Sequence, residues 1–170
     1  MNNWGMTSLS AVKLIPSPIG DIAIGCTEKG LATVEILTDG MHRMEFSNSQ
    51  FAQAHCEQAA TEITGYFATN KDPGKLPLDV QGTEFQVAVW QEISRTPFGK
   101  KVSYGEIAAK IGKPRASRAV GAAVGANPVP LVVGCHRVLG SQNRITGYSG
   151  GEGIATKIWL LEHEGIEFLN

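Results

Sequence analysis

Cysteine is scarce in this 170-residue chain, and the way it is distributed excludes two chemistries. Cys26, Cys56 and Cys135 form an odd set with no C-x-x-C pair, so neither a disulfide framework nor a four-cysteine zinc site can be built. Long apolar runs are also missing. The stretch Val129 to Val133 is interrupted by Pro130 and falls far short of the roughly 20 residues that cross a bilayer. The first ten residues lack a basic segment followed by an apolar core, so no secretory signal is expected and a reducing, cytoplasmic setting is the default. No fixed period recurs. What remains, with 42% apolar and 18% charged residues, is a globular chain long enough for one mid-sized domain or two small ones.

Charge of one sign is nearly absent from the middle of the chain. Residues 95–144 carry nine basic groups against one acid, Glu106, while residues 1–94 hold five basic and eleven acidic groups and residues 145–170 one and four. The net charge of -1 hides this segregation. A segment with Arg95, Lys100, Lys101, Lys110, Lys113, Arg115, Arg118, Arg137 and Arg144 suits a polyanion such as nucleic acid, or is a solvated basic face that acidic neighbours offset.

The first 40 residues read as antiparallel strands, with Asp21–Cys26 and Leu31–Leu37 flanking a turn at Thr27 to Gly30. Phe51, Ala54, Ala59, Ile63, Tyr66 and Phe67 follow a helical period over 50–67, and residues 68–78, broken by Asp72, Pro73, Gly74 and Pro77, read as a linker. The boundary is drawn there, giving domains 1–80 and 81–170. Thr83 with Gln86 and Ser103 with Glu106 have capping-box spacing. The first starts a helix that buries Phe85, Ala88, Val89 and Ile93; the second starts a short one with Tyr104 in its first turn, Ile107 and Ile111 on the buried side, and Gly112 as its stop. A helix of small residues, 116–126, ends where Pro128 disfavours helical geometry. The pair reads as a helix-turn-helix whose second member either approaches a partner closely or packs its small residues on the first. Residues 129–134 read as a short buried or edge strand, and 137–148 as a hairpin around Gly140 to Arg144, the position of a wing. A last helix over 154–163 buries Ile158 and Leu161 and leaves Glu164 at its C-terminus, where the helix dipole disfavours a carboxylate.

Cys135 sits between Gly134 and His136–Arg137. Nearby cations lower a thiol's pKa and make it nucleophilic, so Cys135 is a candidate nucleophile; a buried, inert cysteine beside an apolar run fits the same residues. Neighbours on a strand point to opposite faces, so a water bridge or a bend is needed for His136 to reach the thiol.

The run Asn127 to Pro130, then Cys135 to Val138, then Gly147 to Gly151 resembles the O6-alkylguanine-DNA alkyltransferases. The likeness continues through Val102 to Glu106, Arg118 to Gly121 and Trp159 to Gly165, and it covers residues 57–170. It implies an α+β chain with an N-terminal antiparallel-sheet domain of RNase H-like roll type and a C-terminal winged helix-turn-helix domain. The implied activity is DNA repair, with O6-alkylguanine flipped from the duplex and its alkyl group moved irreversibly, in a single turnover, onto Cys135.

By the same resemblance Glu164 orients His136, which takes the Cys135 proton through a water, and Tyr104 protonates the departing guanine. The backbone N–H of Ser149 approaches O6, the carbonyls of Cys135 and Val138 receive the exocyclic amine, Asn127 ties the second helix to the active-site strand, and Tyr148 lines the substrate pocket. Arg118 is the intercalating finger, and Ser117, Ala119 and Arg115 accompany it on the minor groove of double-stranded DNA. No metal or organic cofactor is needed for the transfer, no membrane is involved, and a monomer is expected.

Three departures stand out. Gly134 replaces the family's usual proline and releases a backbone angle, so retained but slower transfer is expected. The segment 152–156 is two residues longer than usual, at the lip of the pocket. Cys26, Cys56, His42 and His55 do not match the zinc pattern of some members, so no zinc is expected.

Overall fold

Alternating apolar residues near the N-terminus produce a three-stranded antiparallel sheet in the order β1 (Ala11–Ile15), β2 (Ile22–Cys26), β3 (Leu31–Ile36). The description is of a computed structural model and covers residues 8–39 and 44–170; His42 lies outside them. All five residues of the central β2 are buried, and a bulge at Gly25/Cys26 precedes the tight turn into β3. Helix α1 (Gln50–Thr69) packs on this sheet through Ala52, Cys56, Ala59, Ala60, Ile63 and Tyr66. The buried stripe is therefore one residue out of phase with the expected one at its start: Phe51 is 74% exposed and Ala54 is exposed.

The expected linker is not a free tether. The Leu31 N–H donates to the Pro77 carbonyl and the Asp79 N–H to the Leu31 carbonyl, each at 2.8 Å, so residues 77–79 are bonded to the start of β3. Asp72 accepts from the Phe98 N–H at 2.8 Å. These bonds satisfy backbone groups that a coil would otherwise leave to water.

Helices α2 (Glu84–Ser94), α3 (Tyr104–Lys110) and α4 (Ser117–Gly125) follow. Both capping boxes form, with Thr83 and Ser103 accepting from the N–H groups of Gln86 and Glu106 and receiving those side chains in return. Gly112, at φ +76, ends the α3 region, and residues 111–116 make the turn into α4. On α2 the buried face contains Val89, Trp90, Glu92 and Ile93; Phe85 and Ala88 are only half-buried, because Trp90 turns inward to donate from Nε1 to the Ala123 carbonyl at 2.8 Å. Ile111 is also half-buried.

Two expected β elements take other forms. Residues 129–134 are a buried turn rather than a strand: Leu131 has φ +72, and the Val133 N–H donates back to the Val129 carbonyl at 2.9 Å. Asn127 holds this turn, donating to the Val133 carbonyl at 2.8 Å and accepting from the Val129 N–H at 3.1 Å. In place of a hairpin after Cys135, β5 (Val138–Leu139) pairs in parallel with β4 (Val102–Ser103). The loop beyond closes through the Gly140 N–H on the Arg144 carbonyl, and residues 144–145 bond to Leu169 near the C-terminus. Helix α5 (Ile154–His163) has the expected bounds, with Leu160 and Leu161 buried, Ile158 half-buried and Lys157 fully enclosed. One continuous apolar core runs from the sheet and α1 to α2, α3 and α4.

Candidate active site

Cys135 opens a single 3₁₀ turn, Cys135–Arg137, rather than following a strand. That turn sends successive side chains in different directions. Cys135 lines an open cavity of about 730 Å³, whereas His136 and Arg137 point into the protein behind it, with exposures of 0% and 3%. Tyr104, Ser117, Arg118, Gly121, Tyr148 and Ser149 line the same cavity. The wall supplied by α4 is low because Gly121 and Gly125 have no side chains.

Behind the cysteine lies a buried ionic cluster. His136 Nε2 is 2.5 Å from Glu164 Oε1, and Glu164 Oε2 accepts from Arg137 Nε at 2.9 Å and from the Gly99 N–H at 2.9 Å. Arg137 spends its remaining donors on the Thr96 carbonyl at 2.7 Å and on Asp72 at 2.5 Å. The dipole penalty expected for Glu164 is thus offset by partners reached through tertiary structure. Burial alone raises a carboxyl's pKa, but the bonds from His136 and Arg137 outweigh it and hold Glu164 down at about 2. An ionised Glu164 can only accept, so the proton on His136 sits at Nε2 and Nδ1 is the basic nitrogen. Nδ1 is buried and no described residue bonds to it.

Burial pushes the Cys135 thiol up, and Asn127, Tyr148 and Lys157 counter this only in part, so the resting sulfur is neutral and needs a base. Burial pushes His136 down, with Glu164 opposing, which leaves the imidazole neutral and able to accept a proton. The Tyr148 phenol is buried and pushed up, first by desolvation and then by the neighbouring cysteine.

Tyr104 stands at the start of α3, and its hydroxyl accepts from Thr146 Oγ1 at 3.0 Å, which leaves its own proton to give. Ser149 donates from Oγ to the Gly125 carbonyl at 3.1 Å, and no described residue accepts from its backbone N–H. The Val138 carbonyl accepts from Lys157 Nζ at 2.6 Å and that of Cys135 from the Val138 N–H, so one lone pair stays free on each. Burial lowers Lys157 to about 8. Arg115, Arg118 and Ala119 are exposed, while Val138 is buried, Asn127 is half-buried and neither side chain lines the cavity.

Three residues of the site carry no mark in the sequence: Asp72, Lys157 and Thr146. Arg137, one of the nine basic residues of segment 95–144, is spent internally, and Arg95 and Lys110 pair with buried Glu92 at 2.7 and 3.1 Å. Only chain proximity to Cys135 marked Arg137; nothing local marks the others.

Family models give the same picture as the geometry. "6-O-methylguanine DNA methyltransferase, ribonuclease-like domain" matches residues 12–80, and "6-O-methylguanine DNA methyltransferase, DNA binding domain" matches residues 84–166. The methylated-DNA–protein-cysteine methyltransferase of Methanosarcina barkeri is 38% identical over 158 residues, covering 90% of this chain and 97% of that protein. The inducible one of Bacillus subtilis is 46% identical over 106 residues, 62% of this chain and 59% of that protein. Among solved structures, Mycobacterium tuberculosis O6-methylguanine methyltransferase superposes with a TM-score of 0.77 at 37% identity, covering 90% of this chain and 91% of that one. Mycobacterium tuberculosis OGT in complex with DNA gives 0.78 at 37% identity, over 91% and 92%.

Proposed function

Because this chain belongs to the methylated-DNA–protein-cysteine methyltransferase family, we propose that Cys135 is the residue that receives the alkyl group from O6-alkylguanine. The protein is a DNA repair methyltransferase that restores guanine by alkyl transfer to its own cysteine. The observation that carries the assignment to Cys135 is its place on the cavity wall directly ahead of the buried His136–Glu164 pair.

The reaction is an in-line displacement. The Cys135 proton passes through a water to His136 Nδ1, and Glu164 steadies the imidazolium at Nε2. Sulfur bonds to the alkyl carbon as the carbon–O6 bond breaks. Negative charge developing on guanine is met by the Tyr104 proton at a ring nitrogen and by the Ser149 N–H at O6. The carbonyls of Cys135 and Val138 receive the exocyclic amine, and Tyr148 bounds the pocket. The thioether has no route back to thiolate, so each molecule acts once.

Duplex DNA is bound through its minor groove by α4, with Arg118 filling the gap left by the flipped base and Arg115, Ser117 and Ala119 along the backbone. Arg115, Arg118 and Ala119 are exposed, and Ser117 and Arg118 line the cavity, which supports that reading. The protein works as a cytoplasmic monomer, with residues 1–80 and 81–170 as its two domains.

Intact-protein mass after mixing with a duplex containing O6-methylguanine tests this. One added methyl per molecule, capped at one and absent from Cys135→Ala, is the expected result. Binding without added mass overturns it.

A further inference from the structure

Tyr66 comes from the N-terminal half of the chain and takes no part in the chemistry above, yet it touches the centre of it. Its hydroxyl donates to Glu164 Oε1 at 2.9 Å, the same oxygen that His136 Nε2 approaches. The ring is 1% exposed and held by Phe67, Phe98 and His163, with centroids 5.0, 5.8 and 5.2 Å away. Phenylalanine would fill this space without needing an acceptor, so the hydroxyl is the feature that requires a reason.

We propose that Tyr66 is a positioning residue of the transfer site, whose hydroxyl competes with His136 for Glu164 Oε1 and thereby sets how tightly His136 holds a proton. The inference rests on the alkyl-transfer reading of the site. A carboxylate oxygen that shares its charge with a second donor is a weaker partner for the imidazolium. Tyr66 therefore keeps His136 neutral at working pH, when it must act as a base. The aromatic packing aligns the hydroxyl, and the Asp72–Arg137 ion pair ties the segment after α1 to the same cluster. This gives the N-terminal half a role in the reaction itself.

The other charged and titratable groups facing the pair are Arg137 and Asp72, Lys157 and His163 of α5, and Cys135 and Tyr148 on the cavity side. Tyr66→Phe removes none of them and keeps the ring.

The test is single-turnover methyl transfer by the full chain and by Tyr66→Phe, from O6-methylguanine duplex across pH 5.5–9, together with His136 ring-nitrogen chemical shifts over the same range. Loss of the hydroxyl returns charge to Oε1. The half-maximal pH then rises by about half a unit or more, with the high-pH plateau within about two-fold of wild type. The His136 shifts move in the same sense. An unchanged half-maximal pH, or a uniform loss of rate with no shift, overturns the proposal. If the wild-type protein adds no methyl to Cys135, the alkyl-transfer reading falls, and the His136 shifts still decide whether Tyr66 controls its proton affinity.

Discussion

Arg137 grips Glu164 with two nitrogens, Nε at 2.9 Å from Oε2 and Nη2 at 3.0 Å from Oε1, and so faces away from the basic surface of which the chain's charge pattern made it part. Breaking a buried pair leaves an uncompensated charge, at a cost of about 3–5 kcal/mol. Arg137→Ala should lose that much in urea unfolding. Arg137→Lys keeps the charge but loses the fork and should cost less, whereas Arg137→Gln removes the charge and should still leave the salt dependence of DNA binding unchanged. A salt slope lower by about one would instead mean a phosphate contact.

Acid should weaken the fold through Glu164. Its folded-state pKa, about 2, lies below the ordinary 4.5, so the unfolded chain takes up the proton first. The stabilisation is complete above pH 4.5 and drains away as pH falls toward 2, roughly 3 kcal/mol in all. His136, also lowered, acts in the same direction and begins near its ordinary 6.5. Unfolding free energies of wild type and Glu164→Gln, measured from pH 7 to 3, should show a steep wild-type decline and a flatter variant. Parallel curves would contradict the assignment.

Arg118 is exposed, lines the cavity and touches no charged partner among the described residues, so Arg118→Ala should fold with wild-type stability. A flipped base costs a few kcal/mol in lost stacking and pairing, so transfer from duplex should fall by at least about ten-fold. Transfer from the free O6-alkylated base should be unaffected. Equal losses on both substrates would move Arg118 from DNA to the chemistry.

Tyr104→Phe deletes the proton donor without emptying the pocket wall. Transfer should slow by about a hundred-fold or more in a quench-flow measurement, with lesion binding little changed. Thr146→Ala, which removes only the group that orients the phenol at 3.0 Å, should cost much less.

Gly134 already holds φ -71, an angle proline adopts, and its N–H donates to no described residue. A Cβ there would lie 3.0 Å from the Arg137 side chain. Gly134→Ala should therefore lower the melting temperature, and Gly134→Pro, with the same Cβ but a stiffer unfolded chain, should recover about 0.5–1 kcal/mol relative to alanine. The transfer rate of the proline variant measures how much freedom glycine adds at Cys135.

Features that depend on neighbours within a turn or two are legible in the chain alone. Both capping boxes, the bounds of α5, the glycine stop after α3 and the helix-turn-helix were legible because their forces act over three or four residues. The order of Cys135, His136 and Glu164 was legible too, as was the small-residue helix that lies over the cavity. Tertiary structure decided the rest. An apolar run such as 129–134 looks alike as a strand and as a buried turn, and only Asn127, bonding across it, selects the turn that aims Cys135 outward and His136 inward. Likewise Tyr66 and Glu164 stand 98 residues apart, and Arg137 finds Asp72 across 65. Hydrogen bonds over such separations leave no period or spacing in the chain, because they exist only once two cores have packed into one.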